Sequence, residues 1–116
     1  MKKLKVKFRL WIDTKDGDNV IGDGRWRLLE AIEKTGLLSS ACKKLDISYR
    51  KAWGDLVKMQ QALKMPLIEK HRGGTNGGRT GLTAFGKRFI KAYKDLHSEI
   101  EMTINKSSRK KFGSIK

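Results

Sequence analysis

The chain has 116 residues, with 27 Lys and Arg against 12 Asp and Glu, a formal charge of +15. That length fits one domain and excludes an enzyme built from separate cofactor and substrate modules. Twelve acids cannot neutralise twenty-seven bases, so a polyanion is the expected partner, with nucleic acid ahead of an anionic membrane surface. A single cysteine, Cys42, excludes an internal disulfide and any cysteine-rich zinc site. The lysine-rich start MKKLKVKFRLWID interleaves its charges with apolar residues and so lacks the apolar run of a signal peptide. Nor does any stretch offer the roughly 18 consecutive apolar residues of a membrane span. A soluble, cytoplasmic protein associated with the nucleoid is expected, with no membrane partner.

In chain order, Leu4, Val6, Phe8, Leu10 and Ile12 alternate with Lys5, Lys7, Arg9 and Trp11, the period of a half-buried strand. Its basic outer face would protect a sheet edge as well as attract anions. DTKDGDN at 13–19 is turn material. Its acids resemble a calcium loop only superficially. Counted from Asp13, Lys15 and Gly17 fall on ligand positions; counted from Asp16, Arg27 falls where the bidentate Glu belongs. No metal site is expected.

From Asp23, a plausible N-cap, the period becomes helical, with Leu28, Leu29, Ile32 and Thr35 on one face and Gly36 as C-terminal cap. A second, short helix would start from Ser39 and turn Ala41, Cys42 and Leu45 inward, ending in a tight turn at Asp46-Ile47. Ser48 caps a third helix, 48–64, with Ala52, Leu56, Met59 and Leu63 as its apolar stripe, and Pro66 prevents its continuation. A short helix, a tight turn and a longer helix form a helix-turn-helix. Opposite its stripe the third helix presents Tyr49, Arg50, Lys51, Gly54 and Lys58. At those positions such helices meet base edges, although a solvated charged face has the same pattern. Arg50 and Lys51 suit guanine acceptors or phosphate, and Tyr49 suits phosphate or a thymine methyl.

Leu67 to Arg72 and the return at Thr80-Gly81-Leu82 read as two strands joined by GGTNGGR. The glycine-rich loop makes 72–80 a wing, in which Arg72, Thr75, Asn76 and Arg79 supply donors for phosphates or the minor groove. The same residues imitate a phosphate-binding loop, but Arg79 stands where lysine is needed and no later strand carries a magnesium-binding Asp. An enzyme is not expected, and no cofactor is assigned. The last helix, 83–105, carries Phe85, Phe89, Ala92, Tyr93, Leu96, Ile100 and Ile104 at steps of three and four. At roughly 33 Å it outruns a core of this size. Leu96, Ile100 and Ile104 are therefore expected to bury against a second copy in a two-fold homodimer. Residues 106–116 read as a basic, disordered tail, outside a domain formed by 1–105. His71 and His97 have no metal-ligand spacing, and Trp26 and Trp53 are read as core.

Several motifs then stand together: Gly22-x-Gly24-Arg25, Leu28-Leu29, Gly36, Ile47-Ser48-Tyr49-Arg50-x-Ala52-Trp53, Gly73-Gly74 with Gly77-Gly78, and Leu82-Thr83-x-x-Gly86. From Leu4 to about Leu96 the sequence resembles the N-terminal DNA-binding domain of the ModE family of molybdate-responsive regulators and its single-domain relatives, which carry LysR-type helix-turn-helices. The resemblance implies a mainly α winged helix-turn-helix with a small β component, and a dimer formed through the helix that begins at Thr83. It also implies a recognition helix whose Ser48, Tyr49, Arg50 and Lys51 approach DNA. Ser39 and Lys58 complete the DNA-facing set. Cys42 stands where the family favours alanine, Asp46 replaces the common turn glycine, and Gly54 weakens the recognition helix by about 0.5–1 kcal/mol relative to alanine. The oxyanion-binding domains through which the family senses molybdate have no counterpart in these residues, so no small-molecule effector is expected. The sequence thus predicts a specific duplex-DNA-binding regulator; an architectural protein indifferent to sequence is the alternative, and an RNA-binding winged helix a third.

Overall fold

A computed structural model describes residues 3–71 and 79–115. Its elements are β1 (Ile12–Asp13), β2 (Asn19–Ile21), α1 (Asp23–Thr35), α2 (Leu38–Leu45), α3 (Tyr49–Leu63), β3 (Ile68–His71), β4 (Arg79–Leu82) and α4 (Ala84–Phe112). Each pair of strands forms a two-stranded antiparallel sheet. The core gathers Val20 and Ile21 from β2, Leu28, Leu29 and Ile32 from α1, and Leu56 and Met59 from α3, with Leu67 just before β3 and Leu82 from β4. The fold is a winged helix-turn-helix.

The period-two segment at the N-terminus behaves differently from the expected strand. Only Ile12–Asp13 joins a ladder, because β2 offers just three residues for pairing. Upstream of Ile12 the chain lies along α4 instead. Tyr93 donates its hydroxyl to the Leu10 carbonyl at 3.0 Å, and the rings of Phe8 and His97 lie 4.7 Å apart. Two extended residues advance about as far as four helical ones, so the alternation that suits a sheet also matches one turn of helix. The match lapses toward the start, where Leu4 is 64% exposed.

The acidic segment after β1 is a turn, as its composition predicts. Thr14 accepts from the Gly17 amide, and Gly17 takes φ 95°. Helix starts shift slightly from expectation. Gly22 rather than Asp23 caps α1, and Asp23 instead pairs with Arg27 at 3.1 Å. Leu37 rather than Ser39 caps α2, so Ser39 sits exposed in its first turn. The cap of α3 is as expected: the Ser48 hydroxyl accepts from the Lys51 amide at 3.0 Å.

Two motif glycines are required by close approach. A Cβ at Gly86 would collide with the Leu67 carbonyl oxygen, and one at Gly22 would lie 2.9 Å from the Trp11 indole. Thr83 tightens the first junction: it caps α4 through the Gly86 amide and donates to the Pro66 carbonyl at 2.8 Å. The final helix also departs from expectation. It continues to Phe112, so residues 106–112 are helical rather than a disordered tail. Nothing breaks it before Gly113, and Arg109, Lys110 and Lys111 complement the negative end of its dipole. At 29 residues it is about 43 Å long, which accounts for most of the 63 Å long axis.

Candidate nucleic-acid interface

The turn between α2 and α3 sets the angle at which α3 is presented. Asp46 adopts the left-handed conformation at φ 55°, and its amide donates to the carbonyls of Cys42 and Lys43. Asp tolerates this conformation better than most residues, which is why it can stand where glycine is common. Cys42 beneath the turn is buried, and burial pushes its thiol up from the ordinary range, keeping it protonated and inert.

On α3, Ala52, Leu56 and Met59 are fully buried. Helical spacing then turns Arg50, Gly54 and Lys58 outward, and Arg50 and Lys58 are exposed. A Cβ at Gly54 would meet nothing within 4 Å. Internal packing therefore does not account for this glycine, which leaves a shallow notch between the two bases. Tyr49, 57% exposed, and Trp53, 42% exposed, flank that face one turn apart. The exposure of Trp53 corrects its reading as core. Its angle around the helix gave the signal, since it lies about 100° from Ala52. Trp26, in contrast, packs against Tyr93 with ring centroids 5.9 Å apart and is half-buried.

Lys51 is less free than its sequence position suggests. Its ammonium lies 3.0 Å from Asp55, which is itself 3.4 Å from the Arg25 guanidinium. Arg25 also donates to the carbonyls of Asn19 at 3.1 Å and Val20 at 3.0 Å. One guanidinium thus ties β2, the start of α1 and the middle of α3 together. Sequence reasoning noticed Arg25 only as a motif residue, because its partner Asp55 is thirty positions away.

The root of the wing is described from both sides. β3 and β4 pair from Ile68 with Leu82 to His71 with Arg79, and the Thr80 amide donates to the Gly36 carbonyl at 2.8 Å. The Arg79 guanidinium lies over Gly36, where a Cβ would come within 2.5 Å of it. There the cation meets the negative end of the α1 dipole, so Arg79 anchors the wing to α1. Arg72, Thr75 and Asn76 lie outside the described residues. Of the expected dimer residues, Leu96 is 42% exposed, and Ile100 and Ile104 are half-buried. Among the described residues no cluster of His, Cys, Asp or Glu could hold a metal ion, and no helix is long and apolar enough to cross a membrane.

A short helix, a tight turn and a capped, basic second helix, followed by a hairpin and a long helix, define the winged helix-turn-helix class. Within that class, the chain is a sequence relative of the ModE proteins. It is 35% identical over 110 residues to the molybdenum transport protein ModE of Azotobacter vinelandii, covering 95% of this chain and 40% of that protein. It is 36% identical over 90 residues to the transcriptional regulator ModE of Haemophilus influenzae, covering 78% and 32%. To the DNA-binding transcriptional dual regulator ModE of Escherichia coli it is 34% identical over 98 residues, covering 84% and 34%. The chain therefore spans well under half the length of these relatives. No protein-family model matches it. Its backbone is similar to that in the crystal structure of a CbnR_DBD–DNA complex, with a TM-score of 0.53 over 79% of this chain and 97% of the other. At 20% identity that likeness is one of fold.

Proposed function

We propose that the chain is a non-enzymatic transcription regulator that binds duplex DNA sequence-specifically as a homodimer, in the cytoplasm and on the nucleoid. The observation that carries this reading is the outward face of α3, where Arg50 and Lys58 flank the Gly54 notch beside exposed Tyr49 and Trp53. The names of its relatives and of its structural neighbour support it: transcriptional regulators in one case, a DNA complex in the other.

In this mechanism α3 enters the major groove with its N-terminal half toward the bases. Arg50 reads guanine or phosphate, Tyr49 and Trp53 pack on thymine methyls or sugars, and the notch at Gly54 lets the helix axis approach the groove floor. Ser39 and Ser48 donate to phosphates, while Lys58 supplies positive charge. Lys51 contributes charge while it stays tethered to Asp55. The wing, with Arg72, Thr75 and Asn76, follows the adjacent groove or backbone, and Arg79 holds its root in place. Phosphate neutralisation gives affinity that falls steeply with salt; contacts to bases supply discrimination.

The +15 charge also favours a second reading, an architectural protein that coats DNA regardless of sequence. Selection from random duplexes at roughly 0.2 M salt separates the two, because weak phosphate-only binding is penalised there. Enrichment of an inverted repeat with half-sites about one helical turn apart is the expected result. Tight binding at low salt without any enrichment would favour the architectural reading.

A further inference from the structure

The alternating segment at the N-terminus carries Lys3, Lys5, Lys7 and Arg9 at every second position. Two purposes suit such a row, protection of a sheet edge and attraction of an anion. The fold removes the first, because only Ile12–Asp13 joins a ladder and the row lies upstream of it. All four bases are exposed, and none of them takes part in a described ion pair. Four like charges on one short segment repel one another, and no described ion pair offsets that repulsion. The row does have a set spacing. Contacts of Leu10 with Tyr93 and of Phe8 with His97 hold the segment extended along α4. At the pitch of an extended chain, alternate side chains stand about 6.6 Å apart, close to the separation of neighbouring phosphates along one nucleic-acid backbone. At the end of the row Trp11 is 62% exposed, with its indole seated over Gly22. Arg9 and Trp11 line a cleft of about 930 Å³ together with Arg25, Arg27 and Lys51. Asp23 and Asp55 also line it, but Asp23 is engaged by Arg27, and Asp55 by Arg25 and Lys51. The row thus leads into a cleft with a basic excess, whose lining includes the first two turns of α3.

We propose that Lys3, Lys5, Lys7 and Arg9 form an arm for the DNA backbone. The arm takes successive phosphates along one strand of the duplex that α3 enters, and the Trp11 ring packs against a sugar. This rests on the DNA-binding reading above and adds to it a contact outside the helix-turn-helix and the wing. The partner chemistry is phosphate and deoxyribose, so the arm contributes affinity and register and leaves discrimination between bases to α3. An anionic lipid surface also presents phosphates, but as a plane without a linear step. A row that leads into a cleft beside α3 fits a strand rather than a plane.

A variant combining Lys5→Gln, Lys7→Gln and Arg9→Gln tests the arm. A second, combining Lys106→Gln, Lys110→Gln and Lys111→Gln at the exposed end of α4, removes the same charge elsewhere. Urea unfolding of the arm variant should match or exceed that of the unaltered protein, because repulsion is relieved, and this shows that it folds. Duplex affinity is then followed against salt. The arm variant should lower the slope of log affinity against log salt by about 2.7, at about 0.9 for each lost contact. The reduction should be the same on the selected duplex and on an unrelated one. The α4 variant should lower the slope by less than about 1. Equal shifts in the two variants would overturn the arm, since total charge alone would then set the slope. A loss confined to the selected duplex would overturn its indifference to sequence. Vesicles of phosphatidylserine and phosphatidylcholine test the other anion. An arm variant that loses vesicle binding but keeps its full duplex slope would assign the row to a membrane surface and overturn the proposal. An unaltered protein that binds no duplex even at low salt would overturn the DNA-binding reading itself.

Discussion

Helices α3 and α4 are both amphipathic, but only α3 has its apolar stripe covered by the chain along its whole length. Ala52, Leu56 and Met59 are fully buried, and both ends of α3 are capped. In α4 the fully buried residues are Gly86 and Tyr93, both within its first ten positions. Beyond them Leu96, Met102 and Phe112 are 42%, 73% and 46% exposed. A period of 3.6 predicts that a helix will form and which face is apolar. It does not say whether the cover comes from the same chain. In α3 the apolar face builds the domain and the polar face is left exposed; in α4 the apolar stripe outlasts the domain.

The sharpest way to break this contrast is to truncate one apolar residue on each helix. Leu56→Ala should cost about 2–5 kcal/mol in urea unfolding, because a closed core cannot collapse around the gap. Leu96→Ala, measured at concentrations low enough to keep the chain monomeric, should stay within about 0.5 kcal/mol of the unaltered protein. Similar losses at both sites would mean that α4 is covered by its own domain. Next in size is Arg25→Ala, which strips two carbonyls of a donor and leaves Asp55 with Lys51 alone. We expect about 1–3 kcal/mol of lost stability, together with weaker DNA binding from a less firmly held α3. Arg25→Lys should recover only part of this, since an ammonium cannot span the same acceptors.

Gly54→Ala separates the two faces of α3. Folding stability should rise by about 0.5–1 kcal/mol, while affinity for the selected duplex should fall because the notch is filled. A gain in stability with unchanged affinity would remove Gly54 from the interface. The smallest effect belongs to Tyr93, where α4 begins to leave the domain. Burial, and secondarily the negative charge of Asp23, raise its hydroxyl above the usual value of 10.0. The folded state therefore favours the neutral phenol. Its contribution is complete below pH 10 and is lost as pH rises through the folded value. Unfolding curves should show a small decline above about pH 10 that Tyr93→Phe diminishes; an identical decline in that variant would exclude Tyr93 as its source.

What was legible in the sequence follows from the range of the interactions involved. Ser48, Asp46 and Gly36 act on amides or carbonyls a few residues away, so the end of α1, the turn between α2 and α3 and the cap of α3 are directly legible. The N-terminal strand could not, because a strand is defined by its partner, and here the alternating segment meets the Tyr93–His97 turn of α4. The Arg25–Asp55 link joins positions too distant for any local pattern. Trp53 is as hydrophobic as a core residue, but its angle around the helix carries it to the exposed face. The end of α4 lies beyond the expected boundary because Lys and Arg, whose charge also suits a disordered tail, favour helix and complement a helix C-terminus.

Sequence discrimination by α3 is what distinguishes the proposed regulator from a protein that coats DNA. Its most direct measurement is the ratio of affinities for the selected inverted repeat and an unrelated duplex at one salt concentration, before and after Arg50→Ala. We expect a ratio of at least about 10³, reduced by Arg50→Ala by an amount worth about 1–3 kcal/mol, with little change in binding to the unrelated duplex. A ratio near one, or an equal loss on both duplexes, would contradict it.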